Sequence, residues 1–157
     1  METADILSGE RLERKLSEKA VQRTETEQTV HELEEWVRVC VKAAEDKLGK
    51  ETNAFYVGDV LGISEWFVVT SGSSDRQVGA IVEEIEDQLT IAGGPKPVRI
   101  EGKSQLNWVL MDYGMLVVHV FHEDARAYFD LDRLWSDVPK LDLEKTPSAN
   151  SAERATA

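Results

Sequence analysis

One short loop contains the residues best suited to bind a phosphate or a nucleotide. Thr70 to Gln77 reads TSGSSDRQ and follows an apolar run, which would place its amides and hydroxyls at a helix N-terminus that favours anions. The loop has neither the G-x-x-x-x-G-K-[ST] nor the G-x-G-x-x-G pattern. Ser74 and Gln77 also fit the S-x-x-Q capping box of an ordinary helix. Capping is the simpler interpretation, and a nucleotide site at Gly72 to Asp75 is the alternative.

Other residue types that could support catalysis or bind a metal are scattered. Nucleotidyl transfer needs carboxylates on neighbouring strands to hold metal ions, but the predicted strands supply no carboxylate cluster, and Asp112 sits in a turn. His119 and His122 are three residues apart, so an extended strand would point them to opposite faces. For His119 we expect a hydrogen-bonded position within the sheet. Cys40 is the only cysteine, which excludes an internal disulfide and a cysteine-based zinc cluster. These patterns predict neither a metal nor a cofactor.

Aromatic residues are dense between Trp108 and Trp135, where no complete catalytic set is visible. Trp and Tyr fill protein cores, and they also dominate the residues that contribute most energy to protein interfaces. The sequence alone leaves both roles open for Trp108 and Trp135. Two carboxylates, Asp112 and Glu101, are close to these aromatics in sequence.

The charge of the chain limits its partners. The formal net charge is -12 and the isoelectric point is about 4.7, whereas a protein that binds nucleic acid through phosphates needs clustered Lys and Arg. An acidic protein favours a basic partner. No apolar run approaches the roughly 20 residues of a membrane span, and the acidic start lacks the apolar core of a signal peptide. We therefore expect a cytoplasmic protein of bacterial rather than organellar type.

Apolar periodicity predicts the elements that must position these residues. A helix is predicted from Val30 to Leu48, with Gly49 as its stop, and a second one follows Ser74. The predicted strands are Ala54 to Leu61, Glu65 to Thr70, Lys96 to Glu101, Trp108 to Met111 and Leu116 to Phe121, and His122 to Phe129 and Asp132 to Trp135 are predicted helical turns. The last two strands form a hairpin, and the second of them is apolar on both faces. This order predicts an α/β fold with a mixed β-sheet sandwiched by helices.

Composition divides the chain into three parts. Residues 1–28 are a polar arm in which a short helix after Ser8 is compatible with the sequence, and we expect the arm to be loosely ordered. Residues 29–139 form the α/β domain. Residues 140–157 are small and polar, which predicts a disordered tail.

Many ordered segments of this sequence resemble the ribosomal silencing factor family, also called RsfS or Iojap-like. The resemblance spans residues from about 30 to 139. Its segments are WFVVTSG at 66–72, SDRQV at 74–78, Ala80-Ile81, Glu101-Gly102, WVLMDYG at 108–114, VVHVF at 117–121, YFDLDRLW at 128–135, Asp137 and Pro139.

The resemblance implies a nucleotidyltransferase-like α/β fold without transferase activity. It implies binding to the large ribosomal subunit through ribosomal protein L-fourteen, which blocks joining of the small subunit and lowers translation when nutrients are scarce. By motif position, the implied contact residues are Trp108 as anchor, Asp112, Tyr113 and Glu101, with Tyr128 and Arg76 as further candidates. A nucleotide-using enzyme with its site at Gly72 to Asp75 is the competing hypothesis, and a homodimer is also open.

The sequence departs from the family pattern at three places. Residues 1–28 extend beyond the usual start. Met115 follows Gly114 where the family often has an acidic residue, which removes a potential charge contact at the hairpin tip. Residues 53–58, NAFYVG, replace a more aliphatic first strand.

Overall fold

The computed structural model describes residues 2–62 and 64–142, and it describes side chains for residues 9–21, 29–62 and 64–142. The chain divides into two compact units at the boundary between Glu35 and Trp36. The elements, in chain order, are α1 (Glu2–Asp46), β1 (Lys50–Tyr56), α2 (Gly58–Leu61), β2 (Trp66–Gly72), α3 (Asp75–Ile91), β3 (Arg99–Glu101), β4 (Trp108–Asp112), β5 (Leu116–His122), α4 (Glu123–Phe129) and α5 (Leu131–Leu134).

The first unit is helical throughout its described residues. Helix α1 begins at Glu2 rather than after Ser8, and the side chains of residues 9–21 are all exposed, including Leu12 and Leu16. No Pro occurs in this stretch, and Glu, Lys, Arg and Leu are good helix formers. The helix in the arm is therefore longer than the sequence predicted.

The second unit contains a five-stranded sheet in the order β1-β2-β5-β4-β3. Strands β2 and β5 are parallel, and the remaining neighbours are antiparallel. This confirms the mixed sheet. The hairpin of β4 and β5 is also confirmed, and β5 lies at the centre of the sheet, as its apolar residues on both faces predicted.

One face of the sheet is covered by α3 and the second half of α1. Helix α3 contacts β2 and β5, and its predicted apolar residues are all buried: Val78, Ile81, Val82, Ile85 and Leu89. Residues 36–46 of α1, which belong to the second unit, lie beside α3, because Val39 and Ala43 line a shared cleft with Gln88 and Ile91. Leu48, predicted as a core position of α1, is instead 78% exposed, since the helix ends at Asp46 and Leu48 has a φ of 62°.

The opposite face has a second core, formed with the C-terminal helices. Its buried residues are Phe55, Val57, Val69, Phe121 and Trp135, and Phe67, Trp108, Ala125, Leu131 and Val138 pack against them. Helices therefore lie on both faces, and the sandwich prediction is confirmed. The burial of Trp135 gives this residue a core role.

Three strand boundaries differ from the sequence prediction. Strand β1 begins at Lys50, earlier than predicted, and its register is irregular between Lys50 and Asn53. Polar residues and bulges are typical of edge strands, so the periodicity was hard to detect. Gly58–Leu61, predicted as the end of this strand, forms α2. The strand predicted from Lys96 forms only at Arg99–Glu101, because the prolines at 95 and 97 lack the amide hydrogen that a sheet requires.

The predicted tail begins as part of the sheet edge. The amide of Tyr56 donates to Pro139 O at 2.8 Å, and the amide of Leu141 donates to Ala54 O at 3.0 Å. Residues 139–141 thus run along β1. The prediction of disorder for the rest of the tail concerns residues 143–157, which lie outside the described residues.

Candidate partner-binding site

Part of one sheet face is left without a covering helix, and we call it the open sheet face. It consists of half-buried Phe67, Trp108, Leu110, Asp112 and Val117, together with exposed Arg99 and Glu101. Their alignment follows from strand register: Leu110 pairs with His119, Asp112 with Val117 and with Arg99, and Glu101 with Leu110. Because paired residues point to the same side of a sheet, these side chains share one surface.

Trp108 is the largest side chain of the open sheet face, and it is held in place on several sides. Its ring stacks on Phe121 at a centroid distance of 4.8 Å and contacts Phe129 at 4.9 Å. Its Nε1 donates a hydrogen bond to His119 Nδ1 at 3.1 Å. Trp108 therefore combines the two roles that the sequence left open: part of the ring belongs to the core and part reaches the surface.

His119 lies directly under this surface. It is 4% exposed, and burial lowers the pKa of its imidazole to about 4. Its hydrogen bond to Trp108 confirms the expected position within the sheet. His122 accepts a hydrogen bond from the amide of Asp124 at 3.3 Å and caps α4. Within residues 2–62 and 64–142, no three or more His, Cys, Asp or Glu side chains are grouped so as to hold a metal ion.

The two predicted carboxylates lie at the edge of the open sheet face. Asp112 Oδ2 is 3.3 Å from Arg99 Nε, and Asp112 Oδ1 accepts the amide of Gly114 at 2.8 Å. Glu101 Oε1 is 3.5 Å from Arg99 Nη1. Asp112 thus stabilises the hairpin turn as well as contributing charge. Arg99, which the sequence analysis did not single out, partly neutralises both carboxylates.

Tyr113 does not lie on the open sheet face. It is 7% exposed, and its hydroxyl is buried without a hydrogen-bond partner among the described residues. Burial raises the pKa of this hydroxyl, and the nearby Cys40 of α1 and Glu86 of α3 raise it further. The side chain therefore points toward the helices of the opposite face. The structure therefore places Tyr113 in the core, away from the open sheet face, and the contact role expected from its motif position stays a prediction.

The two further candidates are both exposed, but only one is near Trp108. Tyr128 is 83% exposed and contacts Phe129 edge-on at a centroid distance of 5.1 Å. Arg76 is exposed in the first turn of α3, the helix on the opposite face. The structure therefore places Trp108, Asp112 and Glu101 on one sheet face, with Tyr128 beside Phe129, which contacts Trp108, and it places Arg76 on the helix of the opposite face.

Exposed apolar side chains of the C-terminal helices adjoin the open sheet face, and the sequence analysis missed them. Phe129 is 51% exposed while contacting Trp108, and Leu134 of α5 is 71% exposed. The signal was present at Tyr128-Phe129, since two adjacent aromatics in a short helix cannot both face the core. Phe129 enlarges the apolar surface around Trp108.

Arg126 is a buried residue with a structural role that the sequence did not indicate. Its guanidinium donates to both carboxylate oxygens of Asp132 at 3.0 and 2.9 Å, to Lys50 O at 2.9 Å, to Glu51 O at 2.6 Å and to Ser71 Oγ at 3.1 Å. The hydrogen bond from Arg126 is the main cause that lowers the pKa of Asp132. Arg126 thus fixes the irregular start of β1 against the α4–α5 region.

The loop at residues 72–75 is closed by internal hydrogen bonds. Ser74 Oγ accepts the amide of Gln77 at 3.2 Å, which confirms the capping interaction. Gln77 Oε1 accepts the amide and the hydroxyl of Ser73 at 2.7 and 2.9 Å, and its Nε2 donates to Lys47 O and Leu48 O at 3.1 and 2.9 Å. A phosphate would have to displace Gln77 to reach the Ser73 amide. The geometry therefore favours the capping interpretation.

Comparison with known proteins places these features in one family. The model of the family described as "Ribosomal silencing factor during starvation" matches residues 11–157. This chain belongs to the ribosomal silencing factor family. The ribosomal silencing factor RsfS of Halalkalibacterium halodurans is 38% identical over 111 residues, which cover 71% of this chain and 94% of that protein.

Two further comparisons agree with this membership of the ribosomal silencing factor family. A crystal structure of a Bacillus halodurans protein superposes with a TM-score of 0.61 at 35% identity, covering 70% of this chain and 99% of that one. The mouse protein named "Mitochondrial assembly of ribosomal large subunit protein 1" is 32% identical over 76 residues, which cover 46% of this chain and 33% of that protein.

Among the described residues, no helix is long and apolar enough to cross a membrane.

Proposed function

We propose that this member of the family represses translation by binding the large ribosomal subunit through ribosomal protein L-fourteen and blocking attachment of the small subunit. The observation that carries the proposal is the open sheet face, where Trp108, held by a hydrogen bond and ring stacking, contacts exposed Phe129 and shares the face with two carboxylates. Interface energy is typically concentrated in such a pre-positioned aromatic residue surrounded by a polar rim.

The chemistry of the open sheet face fits a basic protein partner. Glu101 and Asp112 outnumber Arg99 there, and the chain as a whole carries a formal net charge of -12. Carboxylates at a rim speed association with a partner of opposite charge and discriminate against acidic ones. Lys and Arg side chains of a ribosomal protein would meet the carboxylates, while its apolar atoms cover Trp108 and Phe129.

A bound protein can block subunit joining by steric hindrance alone, so no catalytic group is needed. We propose that the fold is nucleotidyltransferase-like in architecture, that transferase activity is absent, and that the protein is not an enzyme. The engagement of the Ser73 amide by Gln77 supports this view. The competing hypothesis, a nucleotide-using enzyme with its site at Gly72 to Asp75, has no observation in its favour beyond the position of the loop.

The cellular setting follows from the same proposal. A relative named for assembly of the mitochondrial large subunit supports the large subunit as the partner, and the starvation in the family description supports action under nutrient limitation. We place the protein in the bacterial cytoplasm. We propose that residues 29–139 form the ribosome-binding domain. We also propose that two copies can form a homodimer, since the edge strand β3 can pair with a second copy.

Co-sedimentation with separated ribosomal subunits tests the proposed partner. The protein should sediment with large subunits and remain at the top of the gradient with small subunits. Purified L-fourteen, added in excess, should compete for the protein and reduce its co-sedimentation. Equal sedimentation with both subunits, or none with either, would refute the proposal.

A further inference from the structure

We propose that His119 is a positioning residue for partner binding: its Nδ1 holds the indole of Trp108 in the orientation that the partner contacts. This inference rests on the proposed function. His119 itself is buried and touches no partner, so its effect passes through Trp108.

The geometry around His119 restricts the Trp108 ring to one orientation. The Nε1–Nδ1 distance of 3.1 Å is that of a direct hydrogen bond. Phe121 stacks on the same indole at 4.8 Å, and Phe67 packs edge-on against His119 at 4.7 Å. Stacking on Phe121 favours an offset arrangement of the two rings but does not fix where the Nε1–H group of the indole points. The hydrogen bond supplies the direction.

Only neutral His119 can perform this role. An imidazole accepts at Nδ1 when its proton is on Nε2, and the protonated ring has donors at both nitrogens. Protonation would therefore place two N–H groups against each other at Trp108 and break the hydrogen bond. Burial keeps His119 neutral at physiological pH, since its pKa is about 4.

The charged and titratable groups around His119 do not substitute for this hydrogen bond. They are Asp112 of β4, Arg99 and Glu101 of β3, Arg126 of α4 with Asp132 of α5, and His122 of β5 itself. None of these described groups forms a hydrogen bond or an ion pair with His119, and β2 contributes the apolar Phe67 and Val69 on this face. The contact with Trp108 is thus the polar interaction of His119 that can be tested in isolation.

The test compares two substitutions at His119 that differ in one property. In His119→Asn, the side-chain oxygen can occupy the place of Nδ1 and accept from Trp108, whereas His119→Leu fills the space without an acceptor. We expect His119→Asn to bind large subunits about as tightly as the unmodified protein. His119→Leu should bind about fivefold to tenfold more weakly, as expected for loss of one buried hydrogen bond.

Trp108→Phe provides an independent route to the same interaction, because it removes the donor and keeps an aromatic ring. The double variant Trp108→Phe with His119→Leu should lose no more affinity than Trp108→Phe alone, since the hydrogen bond is already absent from Trp108→Phe. If His119→Leu fails to fold, the nuclear magnetic resonance comparison of the unmodified protein with His119→Asn carries the test. Full-affinity binding by folded His119→Leu, or by Trp108→Phe, would overturn the inference.

Nuclear magnetic resonance on the free protein adds a measurement that general loss of packing would not reproduce. The indole Nε1–H signal of Trp108, assigned with Trp108→Phe, should shift with a midpoint near pH 4 in the unmodified protein and should not titrate in this way in His119→Asn. An indole signal that has the same pH dependence in His119→Asn as in the unmodified protein would overturn the inference. Failure of the unmodified protein to bind large subunits would instead refute the proposed function, so the two failures are distinguishable.

Discussion

The loop at residues 72–75 and the open sheet face are both places where the sequence suggested a binding site, and they differ in where their polar groups are directed. In the loop, Gln77 accepts from the Ser73 amide and donates to the carbonyls of Lys47 and Leu48 in the turn between α1 and β1, so these groups are paired within the chain. In the open sheet face, internal contacts fix the base of Trp108 while its edge and its neighbours stay accessible. A residue pattern suited to binding indicates a site only where the fold leaves it uncovered.

The largest expected effect is on binding and concerns the open sheet face. Trp108→Ala should weaken binding to large subunits by about 100-fold, the range of an interface residue that contributes 2 to 4 kcal/mol. Equilibrium binding of labelled protein to large subunits measures this loss. Arg76→Ala is the matched control, because Arg76 is exposed on the opposite face, and it should bind normally. Normal binding by a folded Trp108→Ala would show that the anchor is elsewhere.

The next effect concerns His119, the buried residue that holds Trp108, and the pH dependence of the stability of the protein. The folded pKa of His119, about 4, lies below its ordinary value of 6.5, so the unfolded chain takes up the proton first. His119 therefore contributes full stability above pH 6.5, and this contribution falls as the pH decreases toward 4, by about 1.4 kcal/mol per pH unit and about 3 kcal/mol in total.

Urea unfolding between pH 4 and pH 7 measures this dependence on His119. His119→Asn should lose less stability over that range, because it has no proton to gain. Asp132, whose pKa is lowered by Arg126, contributes a separate loss only at still lower pH. Equal slopes for the two proteins between pH 4 and 6.5 would contradict the burial of a neutral histidine.

A smaller effect tests the loop as a purely structural element. Gln77→Ala should reduce the free energy of unfolding by about 1 to 2 kcal/mol, because it leaves the Ser73 amide and the carbonyls of Lys47 and Leu48 without this partner. Binding to large subunits should be unchanged. Calorimetry with magnesium and nucleoside triphosphates should show no heat for either protein. Heat from the unmodified protein would revive the enzyme hypothesis.

The smallest effect tests the charge at the rim. Arg99→Ala removes the cation that pairs with Asp112 and Glu101, so a basic partner should bind about two- to threefold more tightly at low salt, in line with weak exposed ion pairs. Lys42→Ala is the control, since Lys42 pairs with Asp46 on α1 and gives the same change of net charge. Salt titration of binding distinguishes the two variants. Weaker binding by Arg99→Ala would indicate an acidic partner.

The sequence predicted the fold well where its patterns are periodic. The buried residues of α3 and the strands of the β4–β5 hairpin show clear apolar periodicity, and the structure has both elements as predicted. The start of strand β1 was predicted too late because its first residues are polar and contain an edge irregularity between Lys50 and Asn53. The length of helix α1 was underestimated because its N-terminal part is charged and lacks apolar periodicity. Residue propensity alone indicates a helix there.

The site was predictable in part. Trp108, Glu101 and Asp112 share a face because of alternation along neighbouring strands. The direction of Tyr113 depends on the hairpin turn and on the helices that cover the other face, and no local pattern reveals it. Arg126 was missed because its partners are the backbone of β1 and a carboxylate in the next helix, which only the folded chain brings together.

Subunit joining tests the central claim most directly. Large subunits would be incubated with the protein, small subunits added, and whole ribosomes quantified by sedimentation, with Trp108→Ala as the matched comparison. The account predicts that the unmodified protein prevents whole ribosomes from forming and that Trp108→Ala permits them. Normal joining with the unmodified protein bound to the large subunit would contradict it.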